Sequence, residues 1–495
     1  MKKTNENASL VKDMLNEKGP GFCLAKWTQV TLHLGVGLNH SCHHPKTHEI
    51  PLDEIKDNVN ALHNSSYKKS IRKQMLNRQR PAECDYCWRI EDNTEQFSDR
   101  VYKSIEPWSY ADMEKIKSMS GDEDVYPRHV EISFSNVCNF KCSYCGPEFS
   151  SKWVSEINKH GPYKLPSGMH FNPIQNKQIL ERQENPYIDA FWKWWPEAVK
   201  HMHTFRVTGG EPLMSKHTMH VIDHLLENPQ PELEFHLNTN GNPPDNIFIE
   251  FTKKVQLLID NNCIKRFVLF TSAESHGKQA EFSRDGLDWN KFTDNIEYFL
   301  KNTRETQVVF MCAFNILSLP SFKQFLEYTK DLKTRYNKNF TYGWLQKRGF
   351  DFEQDYVSRL DGIDHRVLID TPYVRHPNFL DSNMLTMELA SKYLLPAINY
   401  MFANKMTHDW HGQIGFEEWE CQKFKRIVLD LVNALHGNVL EEDLQADTKI
   451  AKQRADFYNW TKMYKERRGM DLLDYIPEFE NFIKVCESEA KKLYG

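Results

Sequence analysis

The stretch from Val130 to Gly146 constrains this chain more than any other. Val130, Ile132 and Phe134 alternate with Glu131, Ser133 and Ser135, the period-2 pattern of a strand with one apolar and one polar face. The strand runs straight into Cys138-Asn139-Phe140-Lys141-Cys142-Ser143-Tyr144-Cys145, three thiols within eight residues. Thiolates are soft ligands that select iron–sulfur clusters, zinc or Cu(I). Structural zinc takes four ligands, usually from two ends of a ribbon, and the nearest downstream histidine here is His160. Three thiolates from one tight loop suit a cubane cluster that leaves one iron open to a further ligand. A zinc knuckle or buried free thiols are the alternatives.

A chain of 495 residues has room for two or three domains with full cores. A net charge of −5 gives no bulk attraction to nucleic acid or to an anionic membrane, and the basic run from Lys68 to Arg80 reads as the polar face of a helix. No apolar stretch reaches the roughly 18 to 20 residues of a membrane span, and the polar N-terminus has no signal-peptide pattern. The expectation is a cytoplasmic protein with no membrane partner. Eleven cysteines, seven of them in two sets, fit ligands in a reducing compartment better than a disulfide framework.

Strands and helices alternate from residue 128 onward, which predicts a parallel α/β core over residues 121–345. The second strand, Phe205 to Val207, ends in Thr208-Gly209-Gly210-Glu211-Pro212, where two glycines let a ligand approach the backbone closely. A third strand, Leu233 to Leu237, ends in Asn238-Thr239-Asn240-Gly241. A fourth, Phe267 to Phe270, ends in Thr271-Ser272-Ala273-Glu274, and a fifth spans Val308 to Ala313. A sixth, Phe340 to Leu345, completes the count. Polar residues just after apolar strands are where ligands bind in such folds. A helix is predicted from Tyr187 to His203. Residues 346–495 read as a mainly helical cap, with helices at Leu385 to Ala403, Glu417 to Leu435 and Pro477 to Leu493.

Residues 1–110 carry the second cysteine set, Cys23, Cys42, Cys84 and Cys87. Lys26 to Leu34 alternates and Gly35 and Gly37 supply a turn, predicting a hairpin between Cys23 and Cys42. A helix from about Ile55 to Asn77 returns the chain to Cys84-x-x-Cys87. Two pairs of thiolates can hold a structural zinc or a 4Fe-4S cluster with every iron ligated, and His43, His44 and His48 are possible substitute ligands.

The C-x-x-x-C-x-x-C loop after a first strand, with Tyr144 before its last cysteine, resembles the cluster loop of the radical S-adenosylmethionine (SAM) enzymes. The resemblance implies a partial (β/α)6 barrel in which Cys138, Cys142 and Cys145 hold a 4Fe-4S cluster whose open iron chelates SAM. Reductive cleavage then gives a 5′-deoxyadenosyl radical, with an electron donor such as flavodoxin or ferredoxin as partner. By the same resemblance Gly209, Gly210 and Glu211 contact the SAM amino group, Thr239 and Asn240 lie near SAM, and Ser272 with Arg284 holds the ribose and the carboxylate. The family has Asp-Gly where this chain has Glu274-Ser275. The N-terminal set resembles the twitch half of a SPASM/twitch domain, which implies a second, auxiliary 4Fe-4S cluster; here it precedes the core, whereas such modules usually follow it. The expected function is an enzyme that abstracts hydrogen from a substrate, with peptides among the candidates. The alternative is a non-catalytic protein that holds zinc in both sets and contacts nucleic acid or a protein partner.

Overall fold

The computed structural model describes residues 5–174, 177–337, 365–407, 414–440 and 444–495. They form two compact units. One comprises Met1–Asn136, Asn176–Leu237 and Asp260–Arg266, and the other Val137–Gln175, Asn238–Ile259 and Phe267–Gly495. The strands are β1 (Gln29–His33), β2 (Leu38–His40), β3 (His48–Glu49), β4 (His129–Ser133), β5 (Lys141–Cys142), β6 (Tyr163–Leu165) and β7 (Gly168–His170). They continue as β8 (Thr204–Thr208), β9 (Gln230–Thr239), β10 (Ile264–Ser272), β11 (Arg284–Asp285), β12 (Thr306–Met311) and β13 (Val367–Asp370). The architecture is mixed α/β, with the parallel strands that the alternating pattern predicts.

In the first unit β1, β4, β8 and β9 run parallel, with Gln29 opposite His129, His129 opposite Thr204 and Thr204 opposite Glu234. The expected hairpin forms as β1 against β2, and β1 also lies directly beside β4. Alternation decides which side is buried. Val130, Ile132, Phe205, Val207, Phe235 and Leu237 are fully buried, while Glu131, Ser133, Arg206 and His236 on the opposite face are half-buried. Phe22, Trp27, Ile71, Met75, Val101 and Ile105 form a separate apolar cluster among the N-terminal helices, and Cys23, Cys84 and Cys87 sit within it.

The helix expected from Ile55 to Asn77 is instead three helices, Leu52–Asp57, Ala61–Asn64 and Ser66–Leu76. Asn58 and Ser65 break it, because short polar side chains bond the local backbone in place of the helical ladder. Asn58 Oδ1 accepts from the Asn60 amide at 3.0 Å, and Ser65 Oγ caps the third helix through Lys68 N at 3.4 Å. The helix predicted from Tyr187 spans Pro186–Ala198. Asn185 starts it by accepting from the amides of Tyr187 and Ile188, with Pro186 at the first helical position.

In the second unit β10, β12 and β13 are parallel, Phe267 opposite Thr306 and Val308 opposite Val367. β13 falls where no strand was expected, and the predicted strand Phe340 to Leu345 lies outside the described residues. The C-terminal helices include Leu395–Ala403, Glu418–Leu440 and Glu480–Tyr494 near their predicted places, and an unpredicted one, Leu444–Arg468. Among the described residues no helix is long and apolar enough to cross a membrane.

Candidate functional site

Two residues of backbone ladder hold the C-x-x-x-C-x-x-C loop in the second unit. β5 pairs antiparallel with β11, so that Cys142 lies opposite Arg284 and Lys141 opposite Asp285. Ser143 N donates to Ser283 O at 2.8 Å, and Cys145 N closes a turn onto Cys142 O at 3.1 Å. Gly286 follows at φ +111°, and a Cβ there would stand 2.8 Å from both Asn139 O and the Phe140 ring, so only glycine lets the two segments approach.

The rest of the loop is tied down residue by residue. Asn240 Nδ2 donates to Asn139 Oδ1 at 2.7 Å, and Asn139 Nδ2 donates to Asn242 O at 2.9 Å. Thr239 Oγ1 accepts from Gly241 N at 3.1 Å. Ser151 Oγ accepts from Cys138 N, Ser150 Oγ donates to Phe140 O at 2.6 Å, and the Trp153 indole donates to Cys142 O at 2.9 Å. The result is a loop with Cys138 and Cys142 buried, Cys145 half-buried and none of the three in a disulfide.

Electrostatics connect the thiols. Burial pushes the Cys145 thiol up, and the charges of Cys142 and Cys138 add to the rise. Burial also raises Cys142, while the Arg284 cation pulls it back. Arg284 is buried, with its guanidinium donating to Tyr144 OH and 3.5 Å from Glu274 Oε2. Tyr144 OH in turn donates to Glu274 Oε2 at 2.9 Å, and Ser283 Oγ donates to Oε1 at 3.0 Å. Complete burial raises the Glu274 carboxyl above its ordinary range against the pull of Arg284.

Glu274, whose role the sequence left open, is therefore the hub of this network. Ser272 ends β10, half-buried. Residues that sequence reasoning missed come from the helix Leu444–Arg468. Arg468 donates to Lys141 O at 2.7 Å, pairs with Glu156 at 2.9 Å and Asp285 at 3.3 Å, and lies over the rings of Trp153 and Tyr464. Lys141 pairs with the same two carboxylates at 3.1 Å each. A basic helix end, Lys465 to Arg468, was the one sequence signal for this.

The glycine motif belongs to the first unit. Gly209 adopts φ +126°, and a Cβ would meet Ser133 Oγ at 2.7 Å and Ser135 O at 2.8 Å. Gly210 N donates to Ser135 O at 3.3 Å. Glu211 is buried, and its carboxylate accepts from Leu213 N at 3.1 Å, capping the short turn Pro212–Met214.

Cys23, Cys42, Cys84 and Cys87 line one cavity of the first unit, together with Lys26, His44, Trp88, Asp99 and Arg100. Burial raises Cys23, with Cys84, Cys42 and Cys87 each adding to the rise, and Cys84 is pushed up to about 12 by burial. Of the three nearby histidines, His44 lines the cavity, with Nε2 2.7 Å from Asp99 and its ring stacked on Tyr86. His43 lies beside His40, and His48 packs on Tyr67. Among the described residues no three His, Cys, Asp or Glu side chains converge on a position for a single metal ion.

No family model matches the chain. The GTP 3′,8-cyclase of Nostoc sp. (strain PCC 7120) is 27% identical over 113 residues, covering 23% of this chain and 27% of that protein. The chain thus spans about a quarter of the length of the curated relative it matches. Streptococcus suis SuiB bound to precursor peptide SuiA superposes at a TM-score of 0.32 with 12% identity, covering 74% of this chain and 77% of that one. SuiB bound to S-adenosylmethionine gives a TM-score of 0.31 with 13% identity, covering 73% and 75%.

Proposed function

We propose that this chain is a radical SAM enzyme whose cluster loop is Cys138, Cys142 and Cys145. The observation that carries the proposal is a single loop bearing three cysteines whose backbone is fixed by β11, Asn240 and Trp153. The donor set fits the group: three soft ligands on one loop, two of them buried, with the Arg284 cation favouring the thiolate form of Cys142. The partial likeness to a GTP 3′,8-cyclase supports the same reading. With the cluster and SAM bound, the site would supply one-electron cleavage of SAM and a radical able to take hydrogen from a C–H bond.

The chain's own part is placement and exclusion of water. Asn139 and Asn240 fix the loop's reach, and Tyr144, Glu274 and Arg284 form a buried polar base behind it. Thr239, Asn240, Ser272 and Arg284 are the residues of this unit proposed to face SAM. Arg284, paired with Glu274, would offer its remaining donors to that ligand, a planar fork that lysine lacks. The four cysteines of the first unit are proposed to hold a second 4Fe-4S cluster. A substrate with an abstractable hydrogen, a peptide being one candidate, and a one-electron donor protein complete the reading.

Anaerobically purified protein should be brown and carry iron and sulfide. Cys142→Ala should abolish formation of 5′-deoxyadenosine, since two thiolates cannot build a cluster with one open iron. Colourless protein carrying zinc, or wild-type SAM cleavage by Cys142→Ala, would overturn the proposal and favour a zinc-holding binding protein.

A further inference from the structure

Two buried cations, Lys26 and Arg100, line the cavity of the four N-terminal cysteines, and two more, Lys68 and Arg72, meet at His63, with Arg72 also bonded to Lys26 O. Lys26 is 3% exposed, Lys68 and Arg100 2% and Arg72 0%. Isolated buried cations are costly unless compensated, and the compensation here is incomplete. Lys26 pairs with Glu83, which also accepts from Tyr67 OH at 2.7 Å. Arg100 pairs with Glu91 at 2.6 Å. Among the described residues Lys68 and Arg72 form no ion pair with a carboxylate. Lys68 Nζ lies 2.9 Å from His63 Nδ1, while Arg72 donates to Lys26 O at 3.0 Å and to Asn64 Oδ1 at 2.8 Å. Lys26, a cavity-lining residue, joins this group to the cysteines. Glu83 directly precedes Cys84 in the chain, and Lys26, its ion-pair partner, lines the same cavity as Cys84.

We infer that Lys26 and Glu83 set the reduction potential of the metal centre held by Cys23, Cys42, Cys84 and Cys87, Lys26 raising it and Glu83 lowering it. This rests on the proposal that the four cysteines hold an iron–sulfur cluster. One-electron reduction by an external reductant makes and breaks no bond and leaves the four-thiolate centre one unit more negative. A fixed cation beside Cys84 stabilises that added charge, and a fixed carboxylate opposes it. The side chains of Lys26 and Glu83 are 4% and 12% exposed, so solvent screens only part of either effect. Lys26 and Glu83 are positioning residues, because neither is a ligand.

The test uses the full-length chain with Cys138, Cys142 and Cys145 changed to alanine, so that all retained iron belongs to the N-terminal set. Iron per chain and the midpoint potential, from a dithionite titration followed by electron paramagnetic resonance, are measured with and without Lys26→Met and Glu83→Gln. Lys26→Met should lower the potential, Glu83→Gln should raise it, and Lys26→Arg should leave it near the parent value. If Lys26→Met loses its iron, the upward shift in Glu83→Gln decides alone. Full iron with unmoved potentials would overturn the inference and leave the cluster reading standing. Zinc in place of iron in the parent would overturn both.

Discussion

Replacing Arg284 with methionine removes a cation from beside a carboxylate that has no solvent to turn to. The Arg284 side chain is 5% exposed and that of Glu274 0%. Without the guanidinium, Glu274 keeps, among the described residues, the hydroxyls of Tyr144 and Ser283. An exposed ion pair contributes about 0 to 1 kcal/mol, whereas removing one partner of a buried pair costs about 3 to 5 kcal/mol. The Glu274 carboxyl already sits above its ordinary range, so proton uptake relieves part of the loss and the lower end, about 3 kcal/mol, is expected. Because the chain has two compact units, a single unfolding free energy does not describe it, and a local measurement is needed. The Ser143 amide, bonded across β5 and β11 to Ser283 O, reports opening of the loop by hydrogen exchange. In metal-free protein Arg284→Met should accelerate its exchange about 100-fold, at roughly 1.4 kcal/mol per factor of ten. The double variant Arg284→Met/Glu274→Gln should recover most of that protection. Exchange within about fivefold of wild type, the mark of a pair worth about 1 kcal/mol or less, would refute the reasoning.

Gly209→Ala puts a methyl within 3 Å of Ser133 Oγ and Ser135 O at a positive φ, and a loss of about 2 kcal/mol or more is expected as a lower denaturation midpoint. Asn240→Ala removes the brace on Asn139, which should cost about 1 kcal/mol and speed the loss of loop-bound iron to a chelator. His129 is held neutral by burial, its pKa lowered to about 3. Its contribution to stability is therefore complete above an unfolded pKa of about 6.5 and is lost as pH falls toward the folded value, at up to about 1.4 kcal/mol per pH unit. His129→Gln should flatten the acid limb of the first unit's stability profile between about pH 6.5 and 4; an unchanged slope would assign that limb to other groups.

Period-2 alternation made the strands readable in advance, since Val130, Ile132, Phe205, Val207, Leu233 and Leu237 bury one face wherever the tertiary context puts them. The cysteine loop was legible as a local feature, since its spacing alone puts three thiols on one short loop. Contacts between distant segments were not readable. Nothing local to Cys142 says that Arg284 will lie opposite it, and the broad run of charges in residues 444–468 does not single out Arg468 from Arg467. The helix read through Ile55 to Asn77 failed because apolar spacing outweighed Asn58 and Ser65, whose side chains bond the backbone around them. Arg284 could be read from sequence as an exposed neighbour of Asp285, yet the β5–β11 pairing buries it.

Arg468 also bears on the order in which the chain acquires its shape. Its bond to Lys141 O spans 327 positions, and the carboxylates of Glu156 and Asp285 share that same distant cation. A chain emerging from the ribosome N-terminus first exposes its cysteine loop long before the residue that closes over its flank exists. Until then Lys141 is the one basic side chain, among the described residues, that pairs with both carboxylates. The second unit is thus completed late in synthesis, and a nascent chain halted before the helix Leu444–Arg468 holds every loop cysteine but not the clamp beside them.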